Sequence, residues 1–500
     1  MPDWTYQPLS PIANAVLGER RTQTLALRFL AFLVTRAGGR RWIPWVFDHP
    51  PVPPRFIGRL GASVPLSVAR EAVAVLPVQG ASVIEIGPVT ADDVKTVRVA
   101  TADRRCPVIA MTSVPEVADA VAPYVDAVTD GSDPHLIHLD TPRVSVALDA
   151  LSDASATVLA RPGVLVAAGP GWFQRVIEAS IPTSAPPGWR DVPANPRRWP
   201  GWLWGVIVGV GMIAAGLGAA AIALGPVLLW YDRAYLSRSV ADLHDINHHL
   251  IGFLQHDRLT MAGNMIGIGV LYLGLAWGGL RQGYRWARNA FLISGLITFL
   301  TLFYFLVTGF VEPMHTLVVV ALFPMFVLAV WHPPADAHWP PIVDGPEMQR
   351  RRALWGQLIM IGVGAGLTVA GIVISTVGLT TVFVPTDLEF LATSSADLQA
   401  RNESLLPFIA HDRAGFGGAL IGAGLAVLLI SLWGWRRGQR WVWWSLLLGC
   451  FFGTAPALTI HVAIGYTHFE HLLPVYVLVL AVICSLMLSR PYLTAPVGHR

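Results

Sequence analysis

A His-Asp-Arg tripeptide occurs twice at the head of an apolar stretch. The copies are "FLQHDRLTMAG" (Phe253 to Gly263) and "FIAHDRAGFGG" (Phe408 to Gly418), 155 residues apart. Together the three side chains offer an imidazole that titrates near neutrality and ligates metals, a carboxylate, and a guanidinium that keeps its charge. Two further histidines, His315 and His471, are expected at the same end of the membrane. The candidate sites are then His256, Asp257 and Arg258 with His315, and His411, Asp412 and Arg413 with His471. Each imidazole pair could bind a divalent metal, hold haem axially, or relay protons to a quinone. A structural role competes with these. Asp257 and Asp412 can cap free amides at a helix start, the arginines can pair with carboxylates or snorkel, and the histidines can hydrogen-bond at the interface. The sequence itself assigns no metal set.

Two other histidine clusters are less symmetric. "HDINHH" (His244 to His249) sets His244 and His248 one helical turn apart, but the other half carries Glu403 and Ser404 where His248 and His249 stand. "HFEH" (His468 to His471) is also only half-matched. Both read as solvated loops.

Composition points to the elements that position these residues. The chain has 500 residues, 54% hydrophobic and 13% charged, which fits a membrane protein with a soluble part. A net charge of +3 gives no reason to expect a nucleic-acid partner. Cys106, Cys450 and Cys484 show neither metal spacing nor a disulfide framework. The N-terminus lacks the basic start and continuous apolar core of a signal peptide. Eight segments are long enough to cross a bilayer, near 202–230, 259–280, 287–309, 313–331, 353–384, 413–434, 441–464 and 469–489. Arginines in "RQGYRWAR" (Arg281 to Arg288), "QRRR" (Gln349 to Arg352) and "WRRGQR" (Trp435 to Arg440) all fall on one side, with "NPRRW" before the first span and Arg490 after the last. The positive-inside rule makes that side cytoplasmic. The expectation is a multi-pass plasma-membrane protein, both termini cytoplasmic, with the His-Asp-Arg motifs facing outward.

A shift of 155 residues aligns the two halves without a gap across these motifs. Asp232 meets Asp387, Asp242 meets Asp397, and Asn247 meets Asn402. Arg281, Gly283, Arg285 and Trp286 meet Arg436, Gly438, Arg440 and Trp441. After one inserted residue His315 meets His471. This is the signature of a duplicated four-helix unit, and an even number of spans orients both copies alike. Close helix approach is expected at the GxxxG steps Gly263/Gly267, Gly418/Gly422, Gly205/Gly209 and Gly362/Gly366.

Ahead of the spans, apolar runs such as "SVIEIGPVT" (Ser82 to Thr90) and "CPVIAMTS" (Cys106 to Ser113) alternate with helical patterns such as "PLSVAREAVAVL" and "VPEVADAVAPYV", as in βα units. "DAVTDG" and "GVLVAAG" are further strand candidates. The fold class expected is a polytopic α-helical membrane protein of two parallel four-helix repeats, with an N-terminal cytosolic α/β partial-barrel domain. Its divisions are an amphipathic helical extension (1–50), the partial barrel (51–184), a linker (185–200), repeat one (201–332), a cytoplasmic linker (333–352) and repeat two (353–490).

The N-terminal part resembles the membrane-associated class 2 dihydroorotate dehydrogenases. "YQPLSPIANAVLGERRTQTLALRFLAFL" (Tyr6 to Leu33) is similar to the helical extension that this family places before its FMN-binding (β/α)₈ barrel, with Gln7 and Gly18 departing from the pattern. "FIGRLGAS" (Phe56 to Ser63) falls at the family's first strand. "VIEIGPVT" (Val83 to Thr90) is similar to its Glu-Val-Gly-Thr-Val-Thr. The resemblance implies FMN contacts at Gly61, Glu85, Gly87 and Thr90. It also implies an extension face (Leu25, Leu27, Phe29, Leu30, Leu33) that lies on the membrane and guides quinone. It stops where the chemistry would stand. The Asn-rich orotate loops are missing, no catalytic Ser is identifiable, and Lys95 is the only lysine. About 140 residues are also too few for eight βα units, which take about 200. The domain therefore reads as catalytically degenerate.

Three functions are consistent with the sequence. The favoured one is a non-enzymatic membrane protein that binds a membrane lipid, quinone or small solute in its duplicated bundle. The others are a flavin- and quinone-linked membrane oxidoreductase and a transporter. No span carries a charge near its centre, which counts against transport.

Overall fold

The computed structural model describes residues 3–181, 184–331 and 344–496, and 72% of it is helical. The chain forms two compact units. One holds the N-terminal region to Ser184 and a segment ending at Trp355; the other begins at Ala185, resumes at Gly356 and ends at Ala495. Of the expected linker 333–352, residues 333–343 lie outside the described residues, and the remainder belongs to the N-terminal unit.

The N-terminal unit is built on six parallel strands: β1 (Leu60–Val64), β2 (Val83–Ile86), β3 (Val108–Met111), β4 (Ala127–Thr129), β5 (Leu136–Leu139) and β6 (Thr157–Ala160). Their order is β4-β3-β2-β1-β6-β5. Ile84, Ile86, Val108, Ala110 and Val158 are fully buried, which explains why these strands read as continuous apolar runs. "DAVTDG" contains β4. "GVLVAAG" is instead part of the helix Pro162–Ala168, with a proline at its start, where a missing N–H costs nothing. Strands β5 and β6 escaped the sequence reading because "LIHL" is interrupted by a histidine and "TVLA" is only one short run.

The sheet is curled into a half-barrel. His138 Nε2 on β5 lies 2.9 Å from Glu85 Oε1 on β2, although β6 and β1 stand between them. On a flat sheet those strands would be about 14 Å apart. The segment after residue 343 is anchored in this unit. Asp344 accepts from Val144 N (3.0 Å), Ser145 N (2.9 Å) and Ser145 Oγ (2.6 Å), capping the helix Val144–Ser152. Arg350 and Arg175 both pair with the buried carboxylate of Asp3. In the extension, Leu27, Leu30 and Leu33 pack around Val75 and Val78, whereas Leu25 and Phe29 are exposed. The expected single apolar face is thus divided in two.

Eight helices among the described residues are long and apolar enough to cross a membrane, all in the second unit but for the start of α5, which belongs to the first: α1 (Gly201–Leu224), α2 (Leu250–Leu280), α3 (Arg285–Tyr304), α4 (Pro313–Trp331), α5 (Glu347–Leu379), α6 (Leu405–Trp433), α7 (Arg440–Ile464) and α8 (Phe469–Leu493). In α2 and α6, 83% and 72% of the most apolar stretch is buried, against 22–33% in the other six. The two helices that carry the His-Asp-Arg motifs are therefore the centre of the unit.

Glycines allow that centre to close. A Cβ on Gly263 or Gly267 would meet Phe452 O (2.5 Å) or Gly449 O (2.7 Å) of α7, and one on Gly418 would meet Thr301 Oγ1 (2.7 Å) of α3. Each central helix therefore packs against helices of the opposite half. One expected step is corrected. Gly362 and Gly366 face open space, and the close approach to α6 is made by Gly364 and Gly371. These two are the 155-residue equivalents of Gly209 and Gly216. The offset, not the GxxxG spelling, marked the packed face. Between α1 and α2, and again between α5 and α6, lie short helix pairs: Trp230–Leu236 with Val240–Ile246, and Pro385–Leu391 with Ser395–Arg401. Ser239 and Ser394 cap the second of each pair.

Replacing Gly269, whose Cβ would sit 2.7 Å from Gly209 O, by valine should destabilise the unit by about 1–3 kcal/mol. Gly362→Val should leave thermal melting in detergent near the wild-type value. Equal melting of the two variants would contradict the packing described.

Candidate functional site

Helices α2 and α6 start at Leu250 and Leu405, so the His-Asp-Arg motifs lie inside them, not at their caps. Asn247 and Asn402 set the starts. Their Oδ1 atoms accept from His249 N (2.8 Å) and Ser404 N (2.9 Å). Their Nδ2 atoms donate across the unit to Leu391 O (2.7 Å) and Leu236 O (2.9 Å). All six motif residues are buried. The expectation that Asp257 and Asp412 cap helix amides is overturned, because both pair with a guanidinium.

The pairing crosses between the halves. Arg258 Nε donates to Asp412 (2.7 Å), and its Nη1 to Val227 O (2.5 Å) and Asp232 (3.4 Å). Arg413 Nε donates to Asp257 (3.2 Å), and its Nη1 to Val382 O (2.9 Å) and Asp387 (2.5 Å). Each guanidinium lies 5.0 Å from a ring centroid, Phe408 for Arg258 and Phe253 for Arg413, a favourable arrangement for a desolvated cation. Val227 (φ 59°) and Val382 (φ 66°) are left-handed. That conformation is costly for a β-branched residue, and it turns each carbonyl toward its arginine.

The histidines also cross. His256 and His315 were expected together, as were His411 and His471. Instead the His256 ring lies 4.4 Å from that of His461 and 6.1 Å from that of His471. The His411 ring lies 5.9 Å from that of His315. The cause is the packing above: α2 turns toward α7 and α6 toward α3.

Two convergent groups result. In one, His256, His461 and His471 bring a nitrogen each within 4.8 Å of one another. The Tyr466 hydroxyl lies 3.1 Å from His471 Nδ1 and donates to Asp387 Oδ1 at 2.9 Å. In the other, Glu312, His315 and His411 converge within the same distance. His315 Nδ1 lies 2.7 Å from Glu312 Oε2. The Tyr231 hydroxyl donates to Glu312 Oε1 (2.9 Å), and the rings of Tyr304 and Phe310 flank His411. His461 and Glu312 were missed in the sequence. Neither has a like residue at the matching position of the other half, so the repeat gave no signal for them.

Burial shapes the electrostatics outside the apolar helices. It pushes the Asp232 carboxyl up to about 6 against the pull of Arg258. Burial also opposes charge on Glu312, but His315, His411 and Arg258 hold it well below the usual carboxylate range. Burial and the nearby carboxylates Glu312 and Asp387 raise the Tyr231 and Tyr466 hydroxyls. Elsewhere, His244 lies in a helix that ends at Ile246, so His248 is not on its face; His248 rests on His249, with ring centroids 4.0 Å apart.

In the N-terminal unit, Glu85 accepts from Ser63 Oγ (2.6 Å) and contacts His138. A Cβ on Gly61 would run into Val83 O, and one on Gly87 into Met111 Cβ (2.8 Å). Thr90 donates through Oγ1 (2.6 Å) and N (3.0 Å) to Asp93. Gly87 N donates to Val64 O (3.2 Å). All four residues expected to contact FMN are engaged by protein neighbours.

No protein-family model, no curated protein and no solved structure matches this chain.

Asp232 binds its proton more tightly folded than unfolded. Its contribution to stability is therefore full below the unfolded value of about 4 and is lost as pH rises through about 6. Asp232→Asn should remove this fall. Thermal melts of both proteins across that range check it, and parallel pH profiles would contradict it.

Proposed function

We propose that this chain is a multi-pass plasma-membrane protein built on a duplicated, parallel four-helix unit, and that the buried cluster around His411 binds a lipid, quinone or small solute. Eight apolar helices and exposed side chains such as Val320, Leu480 and Met487 support insertion in a bilayer. The arginine-rich loops support cytoplasmic termini. Duplication is supported by the bonding of Arg258 and Arg413, whose carbonyl and carboxylate partners recur 155 residues apart.

The observation that carries ligand binding is an unused acceptor. His411 Nδ1 bonds to Asp412 Oδ1 (3.2 Å), and its buried Nε2 has no hydrogen-bond partner among the described residues. Such a group costs about 1–3 kcal/mol if left unmade. A ligand hydroxyl, as on a quinol, a lipid headgroup or a small solute, satisfies it between the rings of Tyr304 and Phe310.

On this reading the N-terminal unit is a catalytically degenerate relative of class 2 dihydroorotate dehydrogenases. Its strand order supports the ancestry. β1 to β4 are neighbours in sequence order, β6 adjoins β1, and β5 adjoins β6. Strands one to four, eight and seven of a (β/α)₈ barrel have these same neighbours. Strands five and six are then lacking, and the connection between β4 and β5 contains no helix.

Mass spectrometry of an organic extract of the detergent-purified protein should find one co-purifying hydroxyl-bearing ligand. His411→Ala should lower its retention about tenfold, the worth of one such hydrogen bond. An extract free of any stoichiometric compound, or one unchanged in the variant, would contradict the proposal.

A further inference from the structure

We infer that His256, His461 and His471 form a binding site for one divalent transition-metal ion. The inference rests on the reading of the buried helical clusters as ligand sites, and it names the ligand of the second cluster. The three side chains come from α2, α7 and α8, and their candidate ligand atoms all lie within 4.8 Å of one another.

Two of the three imidazoles, His461 and His471, are held from behind. His461 Nδ1 lies 2.6 Å from Ala457 O. A carbonyl only accepts, so Nδ1 carries the proton and Nε2 keeps its lone pair. That Nε2 is buried with no hydrogen-bond partner among the described residues, on a side chain only 4% exposed. His471 Nδ1 is engaged by the Tyr466 hydroxyl (3.1 Å) and by Thr386 Oγ1 (3.3 Å), which leaves its Nε2 to face the group. His256 Nδ1 lies 3.2 Å from Asp257 Oδ1 without a hydrogen bond to it, and is buried with no hydrogen-bond partner among the described residues. A second nitrogen oriented by a carbonyl, hydroxyl or carboxylate is how metal-bound imidazoles are held in register.

The chemistry of the set selects the ion. Three neutral imidazoles suit zinc, copper, nickel, cobalt or ferrous iron, and not magnesium or calcium. Three protein ligands leave a fourth position for water or another ligand. Arg413 alone serves both Asp257 and Asp387, which leaves one formal negative charge beside the three imidazoles. The ion therefore adds the charge that three converging lone pairs lack. The other cluster is different. Glu312 already pairs with His315 and accepts from Tyr231, so its charges are compensated without an ion. One metal per chain follows, not two.

The test is a Co²⁺ titration of the full chain, purified in detergent without a polyhistidine tag and stripped with chelator. One Co²⁺ should bind, with the ligand-field bands of a four-coordinate ion, and Zn²⁺ should displace it. His461→Ala and His471→Gln should each weaken binding by about tenfold to a hundredfold or more. His315→Ala should still bind one Co²⁺. Circular dichroism melts show that each variant is folded, and the partly buried His471 gives the milder substitution. Absence of saturable Co²⁺ binding, undiminished binding in His471→Gln, or its loss in His315→Ala would each overturn the site. The hydroxyl ligand at His411 is read separately by extraction. A ligand found there without Co²⁺ binding refutes the metal alone, and absence of both refutes the ligand-site reading as well.

Discussion

Arg258 and Arg413 are buried among apolar helices, and a buried guanidinium must be neutralised by the protein itself. The partner of each lies on the opposite central helix: Asp412 for Arg258, Asp257 for Arg413. Much of the second unit follows from this exchange. It fixes the register of α2 against α6. It draws in Asp232 and Asp387, and with them the short helices that begin beside α1 and α5. It gives the left-handed valines Val227 and Val382 a bond that offsets their strain. It also directs each motif histidine into a cluster completed by the other half.

The exchange explains why sequence similarity between the halves is only part of the chemistry. A strict repeat would make the two motifs interchangeable. The clusters are finished by the matched pair His471 and His315, and by two residues that do not repeat, His461 in one and Glu312 in the other. One cluster is therefore a set of three imidazoles, and the other contains a paired carboxylate.

What could be read in advance follows the same division. The long apolar helices were legible because twenty consecutive apolar residues have few alternative readings. The offset was legible because charged residues inside apolar stretches stand out. The partners of those charges were not, since a repeat predicts contacts within each unit or across units equally well, and only packing decides. Gly364 and Gly371 were hidden by the more conspicuous spelling of Gly362 and Gly366. In the N-terminal unit, β5 and β6 were too short to show a period, yet they carry His138 and close the sheet onto β1. The resemblance at Gly61, Glu85, Gly87 and Thr90 named positions that strand packing and a helix cap explain.

The central claim is that the Arg258–Asp412 pair is an energetic link between the two halves. A double-mutant cycle on denaturant unfolding in detergent measures it directly, with Arg258→Met, Asp412→Leu and both together. Arg258→Met takes the guanidinium from Asp412, Asp412→Leu leaves Arg258 with Asp232 as its carboxylate partner, and each should cost about 3–5 kcal/mol. The double variant should lose less than the sum by about 1–3 kcal/mol. Additive losses would mean that the two charges stand near one another without coupling, and the crossed pair would no longer account for the arrangement of the helices.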